Sequence, residues 1–188
     1  MNEVVIQEFY PVYVGYVFNP FHEEIEKELT DHCLELQKTI KKGGDNWIAN
    51  KTFNSCDTYN ILKDEKFNRL NVWVNEKIHE FKSLLNIKCN LERGVGWFNI
   101  YKKYDFQEFH THRPYILSCN YFLCSNKEDS KLFFKNDREL LEYSELGGAR
   151  WHAPFPGKLV IFSSYTDHSV ERSELDDLRI TLSYNYGK

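Results

Sequence analysis

The sequence predicts an α+β fold: a double-stranded β-helix barrel of the jelly-roll or cupin-like kind, with N-terminal helices packed on one sheet. Three observations carry this. Two long apolar stripes at helical spacing fall within residues 19–85. After Asn90 the chain changes to short aromatic and β-branched runs divided by turn residues. No internal repeat and no second domain is visible in the 188 residues, so a single domain is expected, with 1–92 as a helical support region and 93–188 as the jelly-roll core.

Residues 4–18 are rich in Val, Tyr and Phe and read as an edge strand, or two short strands broken near Pro11. Asn19-Pro20 reads as a helix start, with Asn as cap and Pro in the first turn. Ile25, Leu29, Cys33, Leu36 and Ile40 then recur at steps of 4, 4, 3 and 4, which lines one helix face. Gly43-Gly44 stops that helix. Residues 45–63 read as loop, with one short strand around Trp47. Asp64 can cap a second helix, whose stripe is Phe67, Leu70, Val74, Ile78, Phe81 and Leu85. Expected strands follow at 95–101, 107–112, 116–124, 131–135, 158–163, 168–171 and 178–186. Turn chemistry separates them at Ser125-Asn126, Asn136-Asp137, Gly147-Gly148, Pro154 to Gly157 and Asp176-Asp177. The segment 136–155, with Arg138, Arg150, Trp151 and His152, reads as a surface loop, with a substrate-facing insertion between strands as the alternative.

Composition narrows the function. Aromatics at 16% and charged residues at 28% describe a packed globular chain rather than a disordered one. The net charge of −4, with no basic run, argues against a broad nucleic-acid surface. Met1 leads into NEVVIQEFY, which lacks the charged and apolar regions of a secretion signal, and no window is long and apolar enough for a membrane span. Cysteines 33, 56, 89, 119 and 124 are odd in number and form no C-x-x-C. They read as small buried hydrophobes in a reducing cytosol rather than as a disulfide or zinc framework.

The chemistry concentrates between Trp97 and Cys124. His110 and His112 sit at i and i+2, so on an extended chain both rings face one side and can grip one ion. Neutral imidazole is a common ligand for Fe, Zn, Cu and Ni. His168 opens a later strand-like run after the buried run LVIF, where a third ligand is easily supplied. His22, His32 and His79 fall in or beside the helices and read as surface or packing residues. In LRITLSYNY, alternation sets Arg179, Thr181, Ser183 and Asn185 on one face and Ile180, Leu182 and Tyr184 on the other. An inward Arg needs an anion, and a guanidinium with a neighbouring Thr hydroxyl suits a carboxylate. An internal salt bridge would satisfy it equally.

This ordered set resembles the iron(II)- and 2-oxoglutarate-dependent oxygenases, whose pattern is His-x-(Asp/Glu), a distant His, and Arg-x-(Ser/Thr) about ten residues on. Arg179 follows His168 by 11 residues. Asn99 and Tyr101 precede His110 by 11 and 9 residues, similar to an Asn-x-Tyr in alkylation-repair members that binds 2-oxoglutarate. The likeness is nearest to a prolyl-hydroxylase-like group of small bacterial and phage oxygenases with His-x-His. It runs over Trp97-Phe98-Asn99, His110-Thr111-His112, Leu117 to Leu123, Pro156 to Leu159, Phe162-Ser163-Ser164, His168-Ser169-Val170 and Arg179-Ile180-Thr181.

The resemblance implies Fe(II) as metal, 2-oxoglutarate and O2 as co-substrates, and hydroxylation of a substrate carbon with release of succinate and CO2. It implies His110, His112 and His168 as metal ligands, Arg179 and Thr181 on the distal carboxylate, and Asn99 and Tyr101 lining the same pocket. A peptide or protein side chain is the first expectation for the substrate. Two departures stand out. His112 replaces the usual carboxylate, leaving either a three-histidine site or an unbound His112 with one more open position. Phe122 replaces a Tyr that often helps hold 2-oxoglutarate. Two other classes fit the residues: a cupin-like Zn, Mn or Ni enzyme without 2-oxoglutarate, and a non-catalytic jelly-roll binding module. Nothing in the sequence sets the oligomeric state.

Overall fold

A computed structural model describes residues 12–44, 47–135 and 150–187. Its elements are β1 (Val14–Phe18), α1 (His22–Thr39), β2 (Phe53–Asn54), α2 (Asn68–Leu84), β3 (Arg93–Tyr101), β4 (Gln107–His110), β5 (Leu117–Cys124), β6 (Leu132–Phe134), β7 (Arg150–His152), β8 (Lys158–Ser163), β9 (His168–Val170) and β10 (Arg179–Tyr186). Two short 3-10 turns, Ile61–Lys63 and Glu65–Phe67, lead into α2. The strands form a six-stranded sheet, ordered β1-β8-β5-β10-β3-β2, and a four-stranded sheet, ordered β4-β9-β6-β7. All their pairings are antiparallel. Among the described residues no strand joins the two ladders, so the architecture is a two-sheet sandwich rather than the closed barrel expected, with both helices on one sheet.

The six-stranded sheet is covered on both faces, which explains its near-continuous apolar runs. In β8, Leu159 and Ile161 face the helices while Val160 and Phe162 face the second sheet. The predicted alternation in β10 holds: Ile180, Leu182 and Tyr184 belong to the helix-side core. That core also takes the α1 residues Ile25, Leu29 and Cys33, and Leu70, Val74 and Ile78 of α2. The interior between the sheets is smaller and holds Tyr101, Phe122, Leu132, Phe134, Val160, Phe162 and Val170.

Several boundaries differ from the expectation. Asn19 does not cap α1 itself. Its Oδ1 accepts from Phe21 N in the turn before the helix, and its amide donates to the Tyr121 hydroxyl at 3.1 Å. Gly157, at φ +77, packs where a Cβ would strike His22, and this close approach seats the start of α1 on the sheet. Asp64 caps as expected, but through the 3-10 turn ahead of α2. The strand expected around Trp47 forms instead at Phe53–Asn54, where β2 finds the open edge of β3. Residues 150–152, expected as loop, form β7 because they pair with β6 at the edge of the smaller sheet. The turns at Asn136-Asp137 and Gly147-Gly148, Arg138, and strand residues before Val12 lie outside the described residues. Among the described residues, no helix is long and apolar enough to cross a membrane.

Leu70 is fully buried between α2 and the sheet. Leu70→Ala should therefore destabilise the fold by about 2–5 kcal/mol, measured as a fall in the urea midpoint at constant slope.

Candidate metal centre

The antiparallel pairing of β4 with β9 places His110 directly opposite His168. Their ring centroids are 4.3 Å apart. His112 lies just past β4, held by its backbone N–H on Ser164 O at 2.8 Å. Its ring centroid is 4.8 Å from that of His110 and 4.9 Å from that of His168. One ring nitrogen from each histidine lies within 4.8 Å of the other two. The Nε2 atoms of His112 and His168 are 3.2 Å apart. Two nitrogens bound to one ion at about 2.1 Å would sit about 3.0 Å apart at a right angle and about 3.4 Å apart at the tetrahedral angle. The spacing therefore suits a shared metal.

The second ring nitrogens support this. Nδ1 of His110 faces Glu108 O at 2.8 Å, and Nδ1 of His168 faces Thr166 O at 2.9 Å. A carbonyl only accepts, so each Nδ1 carries the hydrogen and each Nε2 keeps a bare lone pair. Burial pushes all three histidines below their ordinary range, His168 to about 3. For His112, charge on His168 or His110 would lower it further. The triad is thus held neutral, the form that binds a metal.

Arg179 is fully buried beside the interior. Its Nη1 donates to both the carbonyl and the hydroxyl of Ser130, while Nε and Nη2 have no partner. Burial pulls the guanidinium below its usual range, and Tyr101, Asp129 and Glu171 oppose that shift. The Tyr101 ring lies 5.0 Å and the Phe122 ring 5.6 Å from its central carbon. An internal salt bridge was the plain alternative for this residue. Among the described residues no carboxylate lies in salt-bridge contact with it, and two buried donors stay open. That leaves it fit to receive an anion.

Asn99 and Tyr101 line a cavity of about 30 Å³ together with all three histidines. Asn99 makes protein contacts throughout: its Oδ1 accepts from Asn54 at 2.7 Å, and its Nδ2 reaches the hydroxyls of Thr181 and Ser183, each at 3.3 Å. Thr181 itself is fully buried. His22 bonds the Tyr121 hydroxyl and His32 bonds Asp64, so both are packing residues as expected. His152 stands apart, against Tyr16 and Phe134.

Spacing alone missed several neighbours. Trp47 lies 5.7 Å from the His110 ring, brought there by a loop rather than a strand. Glu108 anchors that loop, its carboxylate accepting from Ile48 N at 2.8 Å and Ala49 N at 3.1 Å. The Trp97 ring is 5.4 Å from His112, and Gln107 enters the lining with an unpartnered Oε1. Trp97 was visible in the Trp-x-Asn pattern. Nothing in the local sequence marked Trp47, Gln107 or Glu108.

The lowered histidines give a stability signature. Below about pH 6.5 the unfolded chain takes up protons that the folded apo protein refuses. Their contribution is whole above that pH and is lost as pH falls toward the folded values. In chelator, the parent should lose at least about 1 kcal/mol per pH unit below pH 6. His168→Gln should flatten the slope, read from urea midpoints between pH 7.5 and 5. An equal slope in both proteins would contradict the assignment.

The family model described as "Putative 2OG-Fe(II) oxygenase" matches residues 96–185. A comparison with curated protein sequences found no match. Among solved structures, a prolyl-4-hydroxylase of Pseudomonas putida superposes with a TM-score of 0.64 at 13% identity, covering 93% of this chain and 92% of that one. A Trichoplax adhaerens prolyl hydroxylase, in complex with a peptide fragment of the hypoxia inducible factor oxygen degradation domain, gives 0.70 at 15% identity, covering 92% and 82%. HygX of Streptomyces hygroscopicus, with nickel, 2-oxoglutarate and hygromycin B bound, gives 0.66 at 11% identity, covering 93% and 82%. Those identities speak to fold. Residues 96–185, which contain all three histidines and Arg179, are thus similar to the 2OG-Fe(II) oxygenase family model.

Proposed function

We propose that the chain is a hydroxylase that binds Fe(II) through His110, His112 and His168. In this reading Arg179 and Thr181 anchor the distal carboxylate of 2-oxoglutarate. The observation that carries it is the pairing of three converging, neutral imidazoles with a fully buried arginine that keeps two open donors. When bound, the iron with 2-oxoglutarate and O2 supplies the oxidising power, and succinate and CO2 are its co-products. The chain's own residues do the rest. Glu108 O and Thr166 O fix two ring orientations, and His112 ligates in place of a carboxylate. Asn99 orients the Thr181 hydroxyl, and Tyr101 and Phe122 wall the guanidinium from water. The cavity is about water-sized, so the lining side chains must shift to admit the acid.

We read residues 1–188 as one oxygenase domain, with 1–92 as support. We read the sandwich as a double-stranded β-helix, because the chain from β3 to β10 passes repeatedly between the two sheets. A peptide or protein side chain is the favoured substrate, in line with the prolyl hydroxylases it resembles in fold, and the absence of any basic run in the sequence argues against nucleic acid. The unpaired cysteines suit a reducing cytosol. A Zn or Mn cupin would share the triad but gives no reason for the open Arg179 donors.

Equilibrium dialysis tests the assignment. His110→Ala and His168→Ala should abolish iron binding, and His112→Ala should weaken it roughly 100-fold or more, since even outer partners of metal ligands are worth 10–100-fold. Arg179→Ala should keep iron but weaken 2-oxoglutarate roughly 30-fold or more. Parent-like iron binding by His110→Ala would refute the site.

A further inference from the structure

Arg179 has five N–H groups, and the way the fold uses them is selective. The two acceptors of Ser130, its carbonyl and its hydroxyl, both lie on Nη1. The unpartnered nitrogens are Nε and Nη2. Those two share one edge of the planar group, the edge that forks a carboxylate through two parallel bonds. One terminal nitrogen is thus tied down while a complete fork is left open.

Ser130 is in turn held from two directions. Its backbone N–H donates to Asp129 Oδ1 at 2.6 Å. The same oxygen accepts from the Ser173 hydroxyl at 2.7 Å. Ser130 sits between β5 and β6, whereas Ser173 lies between β9 and β10, so Asp129 joins two connections across the sandwich. Asp129 and Ser130 are each 4% exposed, which keeps water from competing for these bonds.

We propose that Ser130, braced by Asp129 and Ser173, is a positioning residue that turns the Nε–Nη2 edge of Arg179 toward the co-substrate and so sets the enzyme's preference for a dicarboxylic over a monocarboxylic 2-oxo acid. This rests on the reading of Arg179 as the anchor for the distal carboxylate. Without the Ser130 hydroxyl, Nη1 keeps one acceptor and the guanidinium can swing about its own bonds. Only the distal carboxylate feels that change, because the keto-acid end is held at the metal.

Calorimetric titration of Mn(II)-loaded protein with 2-oxoglutarate and with 2-oxobutyrate separates the two ends, since 2-oxobutyrate keeps the chelating end and lacks the distal carboxylate. Ser130→Ala should weaken 2-oxoglutarate roughly tenfold, the scale of one hydrogen bond to a charged group, and leave 2-oxobutyrate unchanged. Ser130→Cys, close in size with a poor acceptor, should do the same and serves if the alanine variant fails to fold. An unchanged ratio of the two affinities in both variants overturns the proposal, as does equal weakening of both acids, which marks a structural role alone. If Arg179→Ala also leaves the ratio unchanged, the anchor reading fails and the proposal falls with it. If Arg179→Ala collapses the ratio while the Ser130 variants do not, only the positioning role is lost.

Discussion

The site depends on a cross-strand register. Because β4 and β9 run antiparallel with His110 opposite His168, two side chains far apart in sequence face one point without any loop having to place them. A slip of one residue in either strand would turn that strand's ring to the other face of the sheet and part the pair. The register is secured by packing beneath it: Val170 of β9 and Leu132 and Phe134 of β6 fill the interior against Val160 and Phe162 of β8. His112 is then fixed by a backbone bond to the turn after β8, so all three rings are referenced to the same pair of sheets.

A second constraint is the uncompensated polarity within this interior. Arg179 carries charge in a place where Tyr101 and Phe122 exclude water, and its open edge raises the energy of the free protein. In the proposed reading, an anion bound there would relieve that penalty, so the burial that weakens the apo protein would strengthen the complex. Burial also disfavours the protonated forms of the three histidines, so protons compete less for the ring nitrogens that would hold a metal.

Much of this was legible in the sequence, for identifiable reasons. The alternation of LRITLSYNY set Arg179 and Thr181 apart from Ile180 and Leu182, and the sheet keeps that division because both of its faces are buried. The i, i+2 spacing of His110 and His112 pointed to convergence, although β4 ends at His110 and the bond to Ser164 is what places His112, and the two helical stripes found their core. What stayed hidden depends on tertiary pairing. Arg150–His152 carries no strand signal of its own and is ordered by β6. Trp47 reaches His110 only because Glu108, 61 residues along the chain, bonds the backbone beside it. Ser130 is an unmarked loop residue whose bond to Arg179, 49 residues away, only the fold reveals.

The most direct test is an anaerobic titration of the apo protein with Fe(II) and then 2-oxoglutarate, followed by visible absorption. A metal-to-ligand charge-transfer band that develops only after both additions is the result this account predicts, because it requires the keto acid to chelate an ion held by the three histidines. Tight metal binding with no band on adding 2-oxoglutarate would contradict it.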